Sequence, residues 1–527
     1  MSFHTPNPAP APAIVSSPIS TMKAEVNLEI VEHLIDGGNM SKQDPKPDLT
    51  ADARRNLNNL CLVSKEWRIF ASHILYRSVE IADLHTLSLF VRTINTRPEL
   101  GKRVRSLFLS PKICSGCGPG FAIDVGQRLH SVLAVTTNLR LLYLNLEECR
   151  TCWYNSNPTT FHYAGTDVGY DYFFFLVTWH IQGAGTFLSQ LTDFYFTSND
   201  IPYRYCIFFT LPSLRRVVSV RDTGQWETIL NDAHGIGPHY PQVTELVLRS
   251  SAIVPSQVHR ICECFPNLTV LRLRNNPQKT NQLYDPSDFE QNSEQDSEQH
   301  PEKDPEQVKL GQRNLSRGLA RLTTLAKLEL QLDYPKPEAS KQINFPVHLG
   351  PYGGITRLRG LHNLRDLTIG MHHLMRFRGP RGEFQAQPLP PTVLPDRLVN
   401  LRLYTCLSCW NNKLRHFKKD LPSDPAYAGQ STLDFVKSLA GMLSLSSNLR
   451  SLEAVSVYSK TAWWLSFGVD YRTVKHDEEE VGQTWNAGGF EEYCGISRFE
   501  TGGREIHFRA YETDDLDCGR DHPYDEV

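Results

Sequence analysis

The chain has 527 residues, of which 40% are hydrophobic, and a formal net charge of -3. This length exceeds the roughly 250–300 residues that one compact core supports, so several domains or an elongated repeat array are expected. With 55 basic and 58 acidic side chains, the sequence has no positive excess that would favour nucleic acid as a partner. The hydrophobic content is sufficient for a folded core.

The N-terminal segment, residues 1–22, is rich in Pro, Ala and Ser, and we predict a disordered tail without a secretory signal. The most apolar stretch, Tyr172 to Ile181, is about half of the ~20 residues that a membrane-spanning helix needs. We interpret it as a buried strand and expect no membrane association. A cytoplasmic or nuclear location follows, in which the cysteines should be free thiols.

Three short helices are predicted within residues 23–82. The first has Ile30 and Leu34 on one face, and the second has Leu57 and Leu60 at helical spacing. Ser64 is a candidate N-cap for the third helix. The apolar residues of that helix recur at i, i+3, i+4, i+7 and i+8, at Trp67, Phe70, Ala71, Ile74 and Leu75. So few apolar residues predict a small helical module with little stability of its own.

From about residue 100 one pattern recurs: an apolar position, two spacers, an apolar position, one spacer and a third apolar position. Its first copy is Val104, Leu107 and Leu109, and Leu449 with Leu452 begins a degenerate ninth copy. The central residues of the other copies are Leu142, Phe194, Leu246, Leu271, Leu328, Leu367 and Leu401. Each such strand can bury its apolar face only against its neighbours, which is typical of leucine-rich repeats. We predict a solenoid of this kind over residues 83–455.

The spacing of the copies is irregular. Leu271 and Leu328 lie 57 positions apart, whereas ordinary repeats take roughly 20–29. Part of that distance is the segment 276–309, which is almost free of large apolar residues and is predicted to be a disordered acidic insertion. A further degenerate copy is possible around Leu214. Helices are predicted between strands at Val125–Val135, Ser256–Cys264 and Thr432–Leu443.

The C-terminal part has a different composition. Residues 456–527 place Trp, Tyr and Phe among Gly, Asp and Glu, and the chain finishes in an acidic stretch. Terminal repeats of a solenoid must be covered. We therefore predict a β-rich, aromatic-rich cap followed by an acidic tail.

The segment from Val26 to Tyr76 resembles an F-box. Its string Val-Asn-Leu-Glu-Ile, residues 26–30, is similar to the Leu-Pro-x-Glu-Ile opening of that family, and Val-Ser-Lys-Glu-Trp, residues 63–67, matches a later family motif. The stretch that follows, through Leu107, resembles the junction in many fungal F-box proteins with irregular leucine-rich repeats. The resemblance implies an α/β fold: a three-helix F-box, the solenoid and the cap.

Members of this family dock a Skp-type adaptor, join a cullin–RING ubiquitin ligase and hold a substrate protein with the C-terminal domain. The resemblance implies adaptor-binding positions at Val26, Asn27, Ile30, Leu60, Val63 and Trp67. Asn27 stands where the family has proline, so the residue loses the fixed φ that suits a helix start. The expected function is a substrate receptor without catalysis or cofactor. The alternative is an interaction scaffold outside any ligase, with a degenerate F-box.

Two further sets of residues are weaker candidates. Two Cys-x-x-Cys pairs, which have the spacing of zinc ligands, follow the first two strands at Cys114, Cys117, Cys149 and Cys152. A redox-labile disulfide is an alternative to zinc, and free thiols are the default interpretation, because the gap between the pairs exceeds the usual zinc spacing. Four arginines lie on or beside the outward strand faces, where they could hold an acidic substrate segment or only solubilise the surface: Arg249, Arg272, Arg274 and Arg402.

Overall fold

The structure is a computed structural model that describes residues 51–111, 119–145, 166–183, 186–197, 205–220, 239–251, 253, 255–275, 318–331, 358–370, 375–378, 385–388, 394–405, 451–452, 454–459, 498–501 and 504–512. Within these residues the chain has an α/β fold, as the sequence predicts. The predicted tail, first helix and acidic insertion lie outside the described residues. Among the described helices, none combines the length and the apolar character needed to cross a membrane.

The described part begins with a helix pair, α1 (Ala51–Val63) and α2 (Lys65–Leu75). The predicted N-cap is confirmed, because the Ser64 hydroxyl accepts a hydrogen bond of 3.2 Å from the backbone N–H of Trp67. This bond satisfies one of the free N–H groups at the start of α2. The pair has a small core of its own, consisting of Ala53, Leu57, Ala71 and Ile74.

A thirteen-stranded sheet follows the helix pair. Twelve of its strands are parallel and lie side by side in chain order, and β14 adds an antiparallel hairpin at the far edge. Two strands, β10 (Met375–Arg378) and β11 (Gln385–Pro388), form a separate hairpin. The strands of the large sheet are β1 (Ser78–Ile81), β2 (Ser106–Leu109), β3 (Leu141–Asn145), β4 (Asp193–Thr197), β5 (Arg216–Val220), β6 (Glu245–Ser251), β7 (Val270–Asn275), β8 (Lys327–Gln331), β9 (Asp366–Gly370), β12 (Asn400–Thr405), β13 (Ala454–Ser459), β14 (Arg498–Thr501) and β15 (Arg504–Glu512).

One face of the sheet is the main core. Because side chains alternate along a strand, the second and third apolar residues of each copy point to the same side. Paired residues of neighbouring strands then form rows, one of which runs through Leu107, Leu142, Phe194, Val217, Leu246, Leu271, Leu328, Leu367 and Leu401. All nine side chains are fully buried. The strands from β2 to β12 in this row therefore share a single continuous core, to which most of them supply an apolar pair.

Helices connect several of the strands, and their apolar residues join the main core. The predicted helices at 125–135 and 256–264 are confirmed within α5 and α8, and 432–443 lies outside the described residues. The connecting helices are α3 (Leu84–Thr96), α4 (Pro98–Gly101), α5 (Pro119–Val135), α6 (Thr166–Gly183), α7 (Cys206–Phe209) and α8 (Pro255–Cys264).

An asparagine before several strands explains the Asn-Leu pairs of the sequence. The side-chain amide of Asn138 donates to the carbonyl of Lys102 at 2.7 Å, and that of Asn267 donates to Pro241 at 2.8 Å. Asn363 bonds to Thr323 in the same way, at 2.8 Å. In each case the acceptor lies in the turn that leads into the preceding strand. These bonds satisfy turn carbonyls that would otherwise need water.

The prediction of a strand at Tyr172 to Ile181 is wrong, because these residues lie within α6. A continuous apolar run does not by itself distinguish a strand from a buried helix, and the length of the element is the criterion that separates the two. The helix has 18 residues. It buries Phe173 and Val177, while Trp179 is 70% exposed.

The limits of the sheet also differ from the prediction. It begins at Ser78, inside the segment assigned to the helical module, and it continues beyond residue 455 through β15, which pairs in parallel with β13. The ninth copy is displaced by three residues: Leu452 precedes β13, and Val455 pairs with Leu401. Leu452 therefore occupies the first apolar position of the copy rather than the second. The possible copy near Leu214 is confirmed as β5.

Candidate functional site

Three large aliphatic side chains of the helix pair are exposed outside its core. Leu62 is 79% exposed, Val63 66% and Ile69 60%. These three residues lie at the end of α1 and in the middle of α2. Their exposure is unusual, because large aliphatic side chains gather at the surface mainly where a partner covers them. We call these three residues the helix-pair patch.

The adaptor-binding positions implied by the resemblance divide into three groups. Val63 is exposed within the helix-pair patch. Leu60 and Trp67 are half-buried and pack against the core of the helix pair, so they support the helices more than they present a surface. The remaining positions, Val26, Asn27 and Ile30, lie outside the described residues.

The face of the sheet opposite the main core, which we call the second face, has an apolar part. Tyr195, Val218 and Val247 are buried there as a separate cluster on three adjacent strands. Arg216 lies over the ring of Tyr195, 5.4 Å from its centroid, and its Nε is 3.2 Å from Oε1 of Glu245. Burial raises the pKa of the Tyr195 phenol, so it stays neutral.

Charged side chains replace the apolar ones farther along the second face. Arg272 and Arg274 project from β7, Lys327 and Glu329 from β8, and Arg402 from β12. Arg249 is the equivalent residue at the end of β6 and is buried. The structure therefore brings the four arginines nominated from the sequence into one region of the sheet.

Glu329 is the buried anion of this region. Its carboxylate accepts a hydrogen bond from Nε of Arg274, and its side chain is only 5% exposed. Burial acts to raise the pKa of Glu329, but the charge and hydrogen bond of Arg274, with the charges of Arg272 and Lys327, outweigh burial and lower it. Glu329 is therefore ionised at neutral pH.

Positive charge nevertheless exceeds negative charge here. Desolvation lowers the pKa of the Lys327 ammonium, and the charges of Arg272 and Arg402 lower it further, against the opposing charges of Asp366 and Glu329. The Nε atom of Arg272 is buried and has no hydrogen-bond partner among the described residues. Such a donor costs free energy unless it is satisfied. An acidic group from outside the described residues would satisfy it and reduce the repulsion.

The four cysteines considered as zinc ligands, Cys114, Cys117, Cys149 and Cys152, lie outside the described residues. Among the residues that the structure does describe, no group of three metal-ligating side chains occurs. The described cysteines are free thiols. Burial raises the pKa of Cys206 and of Cys264 to about 12, so these thiols pack as small apolar residues.

Two parts of these surfaces were not found by sequence reasoning. Leu62 and Ile69 were overlooked because neither belongs to the family motif, although both fall outside the apolar stripe of their helices. The apolar part of the second face was not predicted, because the repeated leucines mark only the opposite face of each strand. The sequence does indicate it: in strings such as FYF at 194–196 and LVL at 246–248, the residue between the two core positions is also apolar.

Comparison with known proteins does not assign the chain. No protein-family profile matches it, and no curated protein sequence is significantly similar to it.

Proposed function

We propose that the chain is the target-recognition subunit of a cullin–RING ubiquitin ligase. The helix pair, as part of an F-box, docks a Skp-type adaptor, and the sheet, as an irregular leucine-rich-repeat solenoid, holds the target protein. The proposal rests on the family resemblance of residues 26–76 and on one observation, the exposed apolar patch of Leu62, Val63 and Ile69. It places the protein in the cytoplasm or nucleus.

The subunit itself would form no covalent bond. Its contribution would be proximity: it holds a target beside the ubiquitin-transferring enzyme and raises the effective concentration of the acceptor lysines. This role needs two separate surfaces on one chain. The helix-pair patch and the charged part of the second face supply such a pair, in different parts of the described sequence.

The helix-pair patch fits the adaptor role by its chemistry. Burial of apolar side chains is the main favourable contribution to most protein–protein association. The three exposed aliphatic side chains of the two packed helices would contribute in this way when an adaptor covers them. The half-buried Trp67 packs against the core that the two helices share.

The second face fits an acidic target segment. Its charged part includes Arg272, Lys327 and Arg402 around the buried carboxylate of Glu329, and an arginine donor there has no partner among the described residues. The adjoining apolar part buries Tyr195 and leaves Tyr143 half-buried, so Tyr143 is the ring available to neighbouring side chains of the target. We propose that the target contributes Asp or Glu next to an apolar residue.

A pull-down with purified Skp-type adaptor tests the adaptor role. The intact chain is compared with a chain that lacks residues 23–75. The deletion stops before Ser78, because loss of β1 would uncover the edge of β2 and favour aggregation. Capture of the intact chain and loss of capture on deletion support the proposal. If a folded intact chain is not captured, the scaffold alternative replaces it.

A further inference from the structure

A cavity of about 310 Å³ lies where the chain turns into β2 and β3. Its lining shares no residue with the helix-pair patch or with the charged part of the second face. Its described lining consists of His73, Lys102, Arg103, Arg105, Asn138, Arg140 and Gln190. Four of these side chains carry a permanent positive charge, and the described lining includes no Asp or Glu. The cavity is therefore strongly cationic.

The sheet fixes two of these arginines side by side. Arg105 directly precedes Ser106, Arg140 directly precedes Leu141, and these two strand residues are paired. The backbone N–H groups of Arg140 and Leu141 both donate to the carbonyl of Arg105, at 2.8 and 3.0 Å. The two residues are thus one strand spacing apart, about 4.8 Å. Like charges opposite each other in a sheet are destabilising.

Nothing in the described part of the chain neutralises this charge. Among those residues, no ion pair is formed by Lys102, Arg103, Arg105 or Arg140. By contrast, Arg216 on β5 forms an ion pair with Glu245 on β6. The four cations of the cavity are therefore without a negative partner among the described residues.

We propose that this cavity binds a small soluble anion that carries two or more phosphate groups. Guanidinium groups donate two parallel hydrogen bonds to phosphate oxygens, and an ammonium adds a point charge. Several phosphates are needed to balance four cations in so little space. The volume is at the lower end of the roughly 300–1,000 Å³ of ligand sites, which limits the ligand to a small molecule.

The lining joins two parts of the fold. His73 belongs to α2, whereas Lys102, Arg103 and Arg105 belong to the turn before β2 and Gln190 to the turn before β4. Asn138 holds this turn in place through its bond to the Lys102 carbonyl. A bound anion would contact the helix pair and the sheet together. Binding should therefore stabilise the position of the helix pair on the sheet.

Isothermal titration of the full-length chain with inorganic tripolyphosphate tests the proposal. At about 0.15 M salt, where exposed charges are strongly screened, we expect saturable binding of one anion per chain. The double variant Arg105→Gln, Arg140→Gln should weaken binding by about tenfold or more, because charge-assisted hydrogen bonds are lost. Both side chains are exposed, so the variant should fold.

The charge-matched control is Arg365→Gln, Arg397→Gln. These exposed arginines lie in the turns before β9 and β12, and Arg365 holds the position that Arg105 holds before β2. The control should bind like the wild-type chain. Equal weakening in both double variants, or no saturable binding by the wild-type chain, would overturn the proposal. The single variant Lys102→Gln should also weaken the binding of tripolyphosphate.

A phosphoinositide headgroup has the same chemistry as a soluble polyphosphate. Sedimentation with phosphatidylcholine vesicles that carry a phosphatidylinositol bisphosphate distinguishes the two sources. Binding of tripolyphosphate supports the proposal, whether or not the vesicles also sediment the protein. Sedimentation with vesicles in the absence of any response to tripolyphosphate would contradict a small soluble ligand.

Discussion

His130 and His180 form a hydrogen bond of 2.9 Å between Nε2 of the first ring and Nδ1 of the second. The bond joins α5 to α6, and the ring of Phe187 packs against both imidazoles, with centroids 5.9 and 4.5 Å away. One ring must donate and the other accept, so at least one imidazole must be neutral. Burial, with the charge that His180 can carry, lowers the pKa of His130.

This pair predicts a loss of stability in mild acid. Because the pKa of His130 is lower in the folded chain, the unfolded chain binds the proton more readily. The free energy of unfolding is therefore highest when the pH is above the pKa of this histidine in the unfolded chain, about 6.5, and it decreases as the pH falls below that value. His130→Phe should reduce the change in the free energy of unfolding between about pH 7.5 and about pH 5.5. Urea denaturation at each pH measures this change.

The control for this prediction is His362→Asn, since His362 is exposed in the turn before β9. It should leave the pH dependence as it is in the wild-type chain. An unchanged pH dependence in His130→Phe would show that the histidine pair does not couple protonation to folding.

Gly318→Ala should destabilise the fold. A Cβ at this position would lie 2.7 Å from the backbone Cα of His259 in α8, so the turn before β8 and the helix would have to separate. Overpacking of this kind costs about 1–3 kcal/mol. Gly360→Ala, in the equivalent turn before β9, meets nothing within 4 Å. Thermal unfolding should therefore show a lower Tm for the first variant and an almost unchanged Tm for the second.

Glu329→Ala should lower the free energy of unfolding strongly, because it breaks a buried ion pair. It would leave Arg274 and its cationic neighbours without their buried counter-charge, and we expect a loss of about 3 kcal/mol or more in the free energy of unfolding. The comparison is Asp124→Ala, which removes a partly exposed i,i+4 pair with Arg128 at 2.8 Å. That pair should contribute about 0.5 kcal/mol or less. Similar losses in urea titrations of the two variants would contradict the assignment of Glu329 as a buried anion.

The strands were predictable because the repeated triplets of apolar residues are the rows of the core. Where all three positions hold Leu, Val or Phe, as at Val243, Leu246 and Leu248, the strand is found at the expected residues. The first strand was missed because its triplet opens with an aromatic residue, Tyr76, before Val79 and Ile81. The core accepts this residue, since the ring of Tyr76 stacks on Phe90 at 6.4 Å.

The binding surfaces were less predictable, because they depend on which strands are neighbours. Arg272 and Lys327 are far apart in the sequence, yet β7 and β8 are adjacent, so the two charges act on each other. The cationic cavity has the same origin: Arg105 and Arg140 become neighbours only through the pairing of β2 with β3. The sequence places each arginine on or beside a strand, but it does not show which of these charges lie close enough to repel one another.

Arg272→Gln with Arg402→Gln tests the charged part of the second face. The variant should change the stability of the fold little, because the relief of repulsion on Lys327 is offset by the loss of the attraction between Arg272 and the buried Glu329. Capture of a peptide library rich in Asp and Glu should weaken by about tenfold, the loss expected when charged hydrogen bonds are removed. Arg365→Gln with Arg397→Gln is again the charge-matched control. Equal capture by all three proteins would remove the acidic target segment from the proposal.

The helix-pair patch gives the most direct prediction about function. Leu62→Gln, Val63→Gln and Ile69→Gln, combined in one chain, replace three exposed side chains and leave the core of the pair, around Leu57 and Ile74, intact. Exposed substitutions of this kind change stability by about 0.5 kcal/mol or less. If the patch is the centre of the adaptor interface, the affinity for the Skp-type adaptor should fall by about thirtyfold or more.

The matched control for the patch is Leu89→Gln, on α3, where the leucine is 40% exposed but lies outside the helix pair. It should bind the adaptor like the wild-type chain in surface plasmon resonance. Trp67→Ala is a poorer probe, because the half-buried ring packs on the helix-pair core and its loss would unfold the module as well as weaken docking. Undiminished adaptor binding by the triple variant would mean that the adaptor docks elsewhere, even if the intact chain binds it.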